Sequence, residues 1–284
     1  MSESFILCIA KNGLTDCLSQ IWHCTLYAKT HNRSIILTLT HYKGTSLFDL
    51  FDFSDYPVPV YDFSKISDVI YTDVEPAECK RMLAHGNDEI FRTNRRLNVP
   101  LDITEKYGDD VLIVHYDSGR GIDRVSPTIE FFKQIRFRPD FREFMKGGLS
   151  RMPTGYNAAQ IRHTDHRTNL PKLLEVLDGF ISSTTESLYL ATDNSELIRS
   201  LKERYGDRIL FNQTVCDRRG EAILQNQSDR GILENAFLDL FILARAANDI
   251  TYFYKASESP YFGYTRLAVR LKTCRELIDR LLSI

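Results

Sequence analysis

The chain has 284 residues, of which 43% are hydrophobic and 26% charged. That is long enough for two ordinary domains and apolar enough to bury a sizeable core. A formal net charge of -2 excludes the global basic field of a nucleic-acid binder, and no apolar run reaches the roughly 18 residues that span a bilayer.

The opening MSESFILCIAKNG has no positive segment ahead of its short apolar stretch, so no secretory signal is expected. Cys8, Cys17, Cys24, Cys79, Cys216 and Cys274 form no CxxC pair and no zinc spacing with histidine. They read as reduced, buried thiols of a cytoplasmic protein.

In chain order, apolar runs alternate with segments of 3.6-residue period. SFILCIA (4–10) reads as a strand. A helix follows from about Cys17 to Tyr27, lining up Leu18, Ile21, Trp22 and Leu26, with Thr15 or Asp16 able to cap it. Trp22 is read as core. SIILTLT (34–40), PVPVYDF (57–63), DVIYTD (68–73) and DDVLIVHYDSG (109–119) are further strands. An aromatic-rich helical stretch from Pro127 to Met145 ends at Gly147-Gly148.

After Ser150 the pattern restarts. NAAQIRH, SLYLATD, RILFNQ and ITYFYKA read as strands. NLPKLLEVLDGFI carries Leu170, Leu173, Leu174, Leu177 and Phe180 on one face. NSELIRSLKERYGD is a short amphipathic helix stopped by Gly206. ENAFLDLFILARAAND is a nearly all-apolar helix, and the last 26 residues, from Ser259, are helical. Strand–helix alternation with apolar strands predicts an α/β protein with parallel sheets covered on both faces. The restart, with Gly147-Gly148 as a hinge, predicts two Rossmann-like lobes, 1–150 and 151–284, facing across a cleft. Ligands in such folds bind at the carboxyl ends of strands.

QIRHTDHRTN (160–169) gathers two arginines, two histidines and an aspartate at a strand end. Arg162 offers a planar, permanently charged fork that fits phosphate oxygens. A diphosphate leaving group needs such a cation as its bond to a sugar breaks. Pairing with Asp165 on a surface loop is the alternative. His163, Thr164 and His166 could add donors. Asp193 closes YLATD, with Glu196 at capping-box spacing, so a cap and a ligand contact both fit. Asp239 lies on an apolar helix, and its carboxylate needs donors: a purine edge with adjacent N–H groups, Arg245, or a backbone loop. Gly13, in NGLTDCL, permits a tight turn and close approach of a ligand. Neither GxGxxG nor GxxxxGK[ST] is present. Ser257 and Ser259 precede a helix expected to begin at Pro260, where hydroxyls and amides could bind phosphate or simply cap.

In order and spacing these segments resemble the GT-B fucosyltransferases, a group that includes the core α1,6-fucosyltransferase, the nodulation fucosyltransferase and the protein O-fucosyltransferases. The resemblance is clearest from Ala159 to Ala268. It is carried by Gln160-Ile161-Arg162-His163-Thr164-Asp165, by YLATDNSELIRSLKERYG, and by RGILENAFLDLFILARAANDI followed by SES. It implies a GT-B fold with an acceptor-side lobe (1–150) and a nucleotide-sugar lobe (151–284). The activity implied is inverting transfer of fucose from GDP-fucose to a glycan acceptor, with no metal and no other cofactor. Arg162 would stabilise departing GDP, Asp239 would hold the guanine edge, and Ser257 or Ser259 would bind the diphosphate. Asp193 would line the nucleotide pocket, and Gly13 would let the first-lobe loop close over the donor.

The chain departs from that pattern in places. Gln160 stands where the family has histidine, and His163 where it often has a second arginine. Glu258 splits the serines, Thr15-Asp16-Cys17 replaces Gly-Asn-Gln, and Asn169-Leu170 occupies the region of the expected base. Asp16, then His163, are the candidates to take the acceptor's proton. A cytoplasmic protein is expected, brought to a membrane surface only by a lipid-linked acceptor. The alternatives are a non-catalytic nucleotide-sugar-binding or scaffolding protein, or a transferase for another nucleotide sugar.

Overall fold

The computed structural model describes residues 4–10, 13–39, 46–63, 96–97, 101–107, 111–115, 123–163, 168–212, 230–248, 251–253 and 263–283. The chain packs as two compact units that divide, in sequence, between Arg136 and Phe137.

The first unit holds β1 (Phe5–Ala10), α1 (Leu14–His31), β2 (Ser34–Leu39), β3 (Val60–Asp62), β4 (Arg96–Leu97), β5 (Val111–His115) and α2 (Val125–Gln134). Its sheet runs β3-β2-β1-β5-β4, parallel throughout. All six residues of β1 are buried, as a central parallel strand covered on both faces requires. α1 is longer than its sequence pattern suggests. Its N-cap is Gly13, not Thr15 or Asp16, and it ends at Asn32, whose left-handed backbone (φ 52°) returns an N–H to Ala28. The chain order reverses between β1 and β5. There the buried Gln20 amide donates to the carbonyls of Ile9 (2.9 Å) and Val114 (3.4 Å), tying α1 to both strands. Phe51, Phe53, Tyr56 and Phe131 form an aromatic cluster with ring centroids 5.3–6.4 Å apart.

The helical stretch expected from Pro127 to Met145 is two helices, α2 and α3 (Pro139–Ser150). Pro139 opens the second, where its missing N–H costs nothing. α3 runs through Gly147 and Gly148 instead of ending there, and it packs within the second unit. Gly148 is a point of close helix approach: a Cβ there would lie 2.4 Å from the Leu238 side chain.

The second unit continues with β6 (Asn157–Ile161), α4 (Leu170–Ser183), β7 (Leu188–Thr192), α5 (Ser195–Tyr205), β8 (Ile209–Leu210), α6 (Arg230–Arg245), β9 (Thr251–Phe253), α7 (Gly263–Lys272) and α8 (Arg275–Leu282). Its sheet runs β8-β7-β6-β9, again all parallel. Side chains alternate across it. Leu188 and Leu190 join Leu173, Leu177, Leu197 and Leu201 in one layer. Tyr189 points the other way, toward Tyr156. Phe137 and Phe141 pack on Phe241 and Phe237 of α6. Gly206 stops α5 at φ 59°, as its sequence position predicts. β8 is shorter than the expected 208–213, and the strand expected at 68–73 lies outside the described residues.

Gly148→Ala is expected to lose about 1–3 kcal/mol, the usual cost of forcing extra volume into a packed contact. Chemical denaturation checks it, and Gly148→Ala with Leu238→Ala should cost less than the two single changes summed. Gly147→Ala, with nothing within 4 Å, should leave the midpoint unchanged or slightly raised.

Candidate functional site

The order β8-β7-β6-β9 places a topological reversal beside β6, because the chain steps to β7 on one side and to β9 on the other. The carboxyl end of β6 is therefore where this fold class leaves a ligand crevice. Arg162 and His163 are the first residues beyond that end, and both are partly exposed. Ile161 is in register with Thr192, the last residue of β7, so the segments that follow lie side by side.

Their peptide groups are satisfied by side chains. The His163 N–H donates to Asp193 Oδ1 (2.9 Å), and Asn194 Nδ2 donates to the His163 carbonyl (3.2 Å). The Arg162 carbonyl accepts from the Thr168 hydroxyl at 2.7 Å. Asn194 also caps α5, accepting from Leu197 N at 2.8 Å. Asp193 therefore does not share the cap suggested by its spacing to Glu196. One residue later, an amide does that work and leaves the carboxylate for His163. Among the described residues, His163 Nδ1 and Thr192 Oγ1 are buried atoms without a hydrogen-bond partner. Buried polar atoms are rarely left unpaired, and these two lie at the carboxyl end of the sheet.

Asp239 forms a second cluster on the face opposite the leucine layer. Its Oδ1 accepts from the Tyr189 hydroxyl at 2.5 Å, and Asn212 also donates to the carboxylate. Asn212 is itself fixed by Asn235 (2.8 Å). Burial pushes the Asp239 carboxyl up from the ordinary 3.8 to about 6, while the Tyr189 and Asn212 hydrogen bonds hold it down. Arg245 is not its partner; it pairs with Asp279 at 3.0 Å. Tyr189 is fully buried. Burial and the neighbouring Asp239 carboxylate raise its hydroxyl well above the ordinary tyrosine value, so it remains a neutral donor.

In the first unit, Asp16 sits in the first turn of α1, ion-paired to Arg124 at 2.7 Å. Gly13 has an ordinary backbone (φ -67°), and an added Cβ would make only van der Waals contact with Asp16 Oδ2 at 3.4 Å. The local turn does not demand glycine there. Thr164, Asp165 and His166, and likewise Ser257 and Ser259, lie outside the described residues. Trp22 is not core as expected; it lines an open groove with His23 and Leu26. The sequence reading missed Thr168, Thr192, Tyr189, Asn194 and Asn212. The Asp193-Asn194-Ser195 run, with several helix-capping side chains in a row, was the available signal for one of them.

No known family profile matches this sequence, and no curated protein matches it significantly. Solved structures do. NodZ alpha-1,6-fucosyltransferase co-crystallised with GDP aligns over 95% of this chain and 92% of its own, with a TM-score of 0.56 and 15% identity. The fucosyltransferase NodZ from Bradyrhizobium aligns over 94% and 92%, with a TM-score of 0.56 and 14% identity. POFUT1 in complex with GDP-fucose aligns over 95% and 93%, with a TM-score of 0.54 and 12% identity. The chain has the GT-B fold of these fucosyltransferases. The similarity spans both units, beyond the Ala159–Ala268 stretch where the sequence resemblance is clearest.

Two predictions follow from this geometry. Asp193→Ala strands the His163 N–H and should cost about 1–3 kcal/mol; Asp193→Asn, which keeps an acceptor, should cost less in the same denaturant titration. For Asp239, the folded state holds its proton to a higher pH than the unfolded state. Stability from this group is therefore present below the unfolded value of 3.8 and lost as pH rises through about 6. Asp239→Asn should gain stability relative to the parent chain, by up to ~3 kcal/mol between about pH 4 and pH 7. Parallel denaturation curves at the two pH values measure it.

Proposed function

We propose that the chain is an inverting, metal-independent glycosyltransferase that moves fucose from GDP-fucose to a glycan acceptor. What carries this reading is the position of Arg162. It is a permanently charged fork one residue past the end of β6, beside the chain reversal, on a backbone bonded to Thr168 on one side, with its neighbour His163 bonded to Asp193 and Asn194 on the other. The fold similarity to proteins solved with GDP and GDP-fucose supports the donor class.

In the reaction, the acceptor hydroxyl attacks the anomeric carbon from the face opposite GDP. The bond from carbon to phosphate oxygen breaks, its electron pair leaves with GDP, and the acceptor proton passes to a base. Arg162 would neutralise charge growing on the β-phosphate. Asp239 is mostly ionised at neutral pH and keeps acceptor capacity beyond its two protein donors, so it would read the N–H edge of guanine. Asp193 would act through its hold on His163, at the pocket wall. Ser257 and Ser259 would add phosphate donors, and Gly13 would admit the donor close to the first strand–helix turn. For the base we favour His163, whose Nδ1 has no partner among the described residues, over Asp16, which Arg124 already neutralises. The leaving phosphate is the alternative proton acceptor. Among the described residues no helix is long and apolar enough to cross a membrane, and we place the enzyme on the cytoplasmic side, meeting membranes through a lipid-linked acceptor.

One observation favours a second reading. If the Asp16–Arg124 pair is permanent and His163 takes no proton, the chain binds nucleotide sugar without turning it over.

Thermal shift should show stabilisation by GDP and not by UDP or ADP. Arg162→Ala should stay folded and lose transfer from GDP-fucose by roughly 10²–10³-fold or more, the loss expected for a preorganised charge-stabilising donor. Unchanged turnover in that variant removes Arg162 from the mechanism. GDP binding with no transfer or donor hydrolysis across a broad acceptor panel selects the non-catalytic reading.

A further inference from the structure

Asp239 holds its charge against its surroundings. It lies on α6 between Leu238 and Leu240, both buried, yet keeps part of its own surface exposed. Two neutral donors meet it from other segments. The Tyr189 hydroxyl of β7 reaches Oδ1 at 2.5 Å, and the Asn212 amide donates as well. Both donors are themselves held. Tyr189 is fully buried, its ring against Tyr156. Asn212 Nδ2 also donates to Asn235 Oδ1 (2.8 Å), and Asn235 Nδ2 donates to the Gly231 carbonyl (2.6 Å), one turn back on α6. The arginines of α6 are engaged elsewhere, Arg230 with Glu234 and Arg245 with Asp279.

The carboxylate is therefore balanced between burial, which pushes it up to about 6, and two hydrogen bonds that hold it down. The other ionisable groups near the pair stay neutral or lie on backbone. Tyr156, pushed up to about 12 by burial, donates to the Ile242 carbonyl at 2.6 Å, and Tyr264 of α7 donates to the Ala236 carbonyl. On the α3 side, α6 meets Phe137, Phe141 and Gly148. We infer that Tyr189 and Asn212 are positioning residues for nucleotide selection: they keep Asp239 an acceptor-only carboxylate, so the site takes a nucleobase with adjacent N–H donors and releases it as pH falls. This rests on the reading of Asp239 as the holder of the guanine edge. An ionised carboxylate offers only acceptors, which match the two N–H groups of guanine and clash with the ring-nitrogen acceptor of adenine. Once protonated, it sets an O–H against an N–H, and the match is lost.

GDP-fucose is the probe, because its diphosphate is esterified at both ends and does not itself titrate from about pH 5 to pH 8.5. Calorimetric titration of the full chain over that range should show level affinity at the alkaline end and a fall below about pH 6, approaching about tenfold per pH unit. Tyr189→Phe keeps the ring and removes the O–H. Its break should move up by about one pH unit or more, so affinity near pH 6 drops several-fold and returns toward the wild-type value at the alkaline end. Asn212→Ala should move the break the same way, and stands in if Tyr189→Phe misfolds. Asp239→Asn should bind weakly and show no break. A break that stays in place in Tyr189→Phe and Asn212→Ala, or that persists in Asp239→Asn, overturns the inference. So does a loss of affinity equal at every pH, which makes the two residues structural only. In each of those cases GDP-fucose still binds and the donor reading stands. A wild-type chain that binds no GDP-fucose at any pH sinks both.

Discussion

A parallel strand that stops at the rim of its sheet leaves the next peptide groups without ladder partners, and the candidate site depends on how that debt is met at Arg162 and His163. Backbone groups in a partly buried position must be paired. Here three side chains from two other segments do it: Thr168 for the Arg162 carbonyl, Asp193 for the His163 N–H and Asn194 for the His163 carbonyl. Because Asn194 is also the cap of α5, the start of that helix and the end of β6 are fixed by one residue. The side chains of Arg162 and His163 then extend from a constrained backbone. On the proposed reading, a charged donor that meets phosphate oxygens benefits from that constraint, since ordering is already in place before a ligand arrives.

The two ends of the second sheet are treated differently. At the amino end of β6 the polar groups close on one another: Asn157 donates to Glu186 (2.6 Å), and Asn248 donates to Asn157 (2.6 Å). At the carboxyl end, His163 Nδ1 and Thr192 Oγ1 have no partner among the described residues. Among the described residues, one edge is closed by mutual hydrogen bonds and the other leaves two buried polar atoms unpaired, the asymmetry expected where loops at the carboxyl end bind and the opposite end holds the fold together. The first sheet has its own solution at the equivalent reversal, where buried Gln20 bridges the carbonyls of Ile9 and Val114.

The architecture was legible in the sequence because burial on both faces writes continuous apolar runs, and FILCIA, SIILTL and SLYLAT carry them. Helix limits were less so. Gly147 and Gly148 looked like a stop by composition, yet α3 passes through them because Gly148 is needed for approach to Leu238, a tertiary demand that no local rule contains. Arg162, His163, Asp193 and Asp239 could be picked out as strand-end or buried polar residues. Their partners could not, since Tyr189 and Asn212 meet Asp239 only through the register of β7, β8 and α6. Trp22 failed in the other direction: its helical spacing matches a core stripe, but α2 leaves it at a groove.

The exchange at position 160 has a physical account. The resemblance to fucosyltransferases puts a histidine there, inside the strand, and this chain has glutamine. Gln160 Oε1 accepts from the hydroxyl of Thr265, a fully buried residue of α7, so the side chain fastens β6 to the helix packed over it. An amide is never charged, and that suits a bond made in the interior. His163 lies three residues later, beyond the strand, and its Nδ1 has no hydrogen-bond partner among the described residues. The inner position is structural in this chain. Gln160 and the Arg162–His163 backbone are thus held by different elements, the first by α7 and the second by Thr168, Asp193 and Asn194.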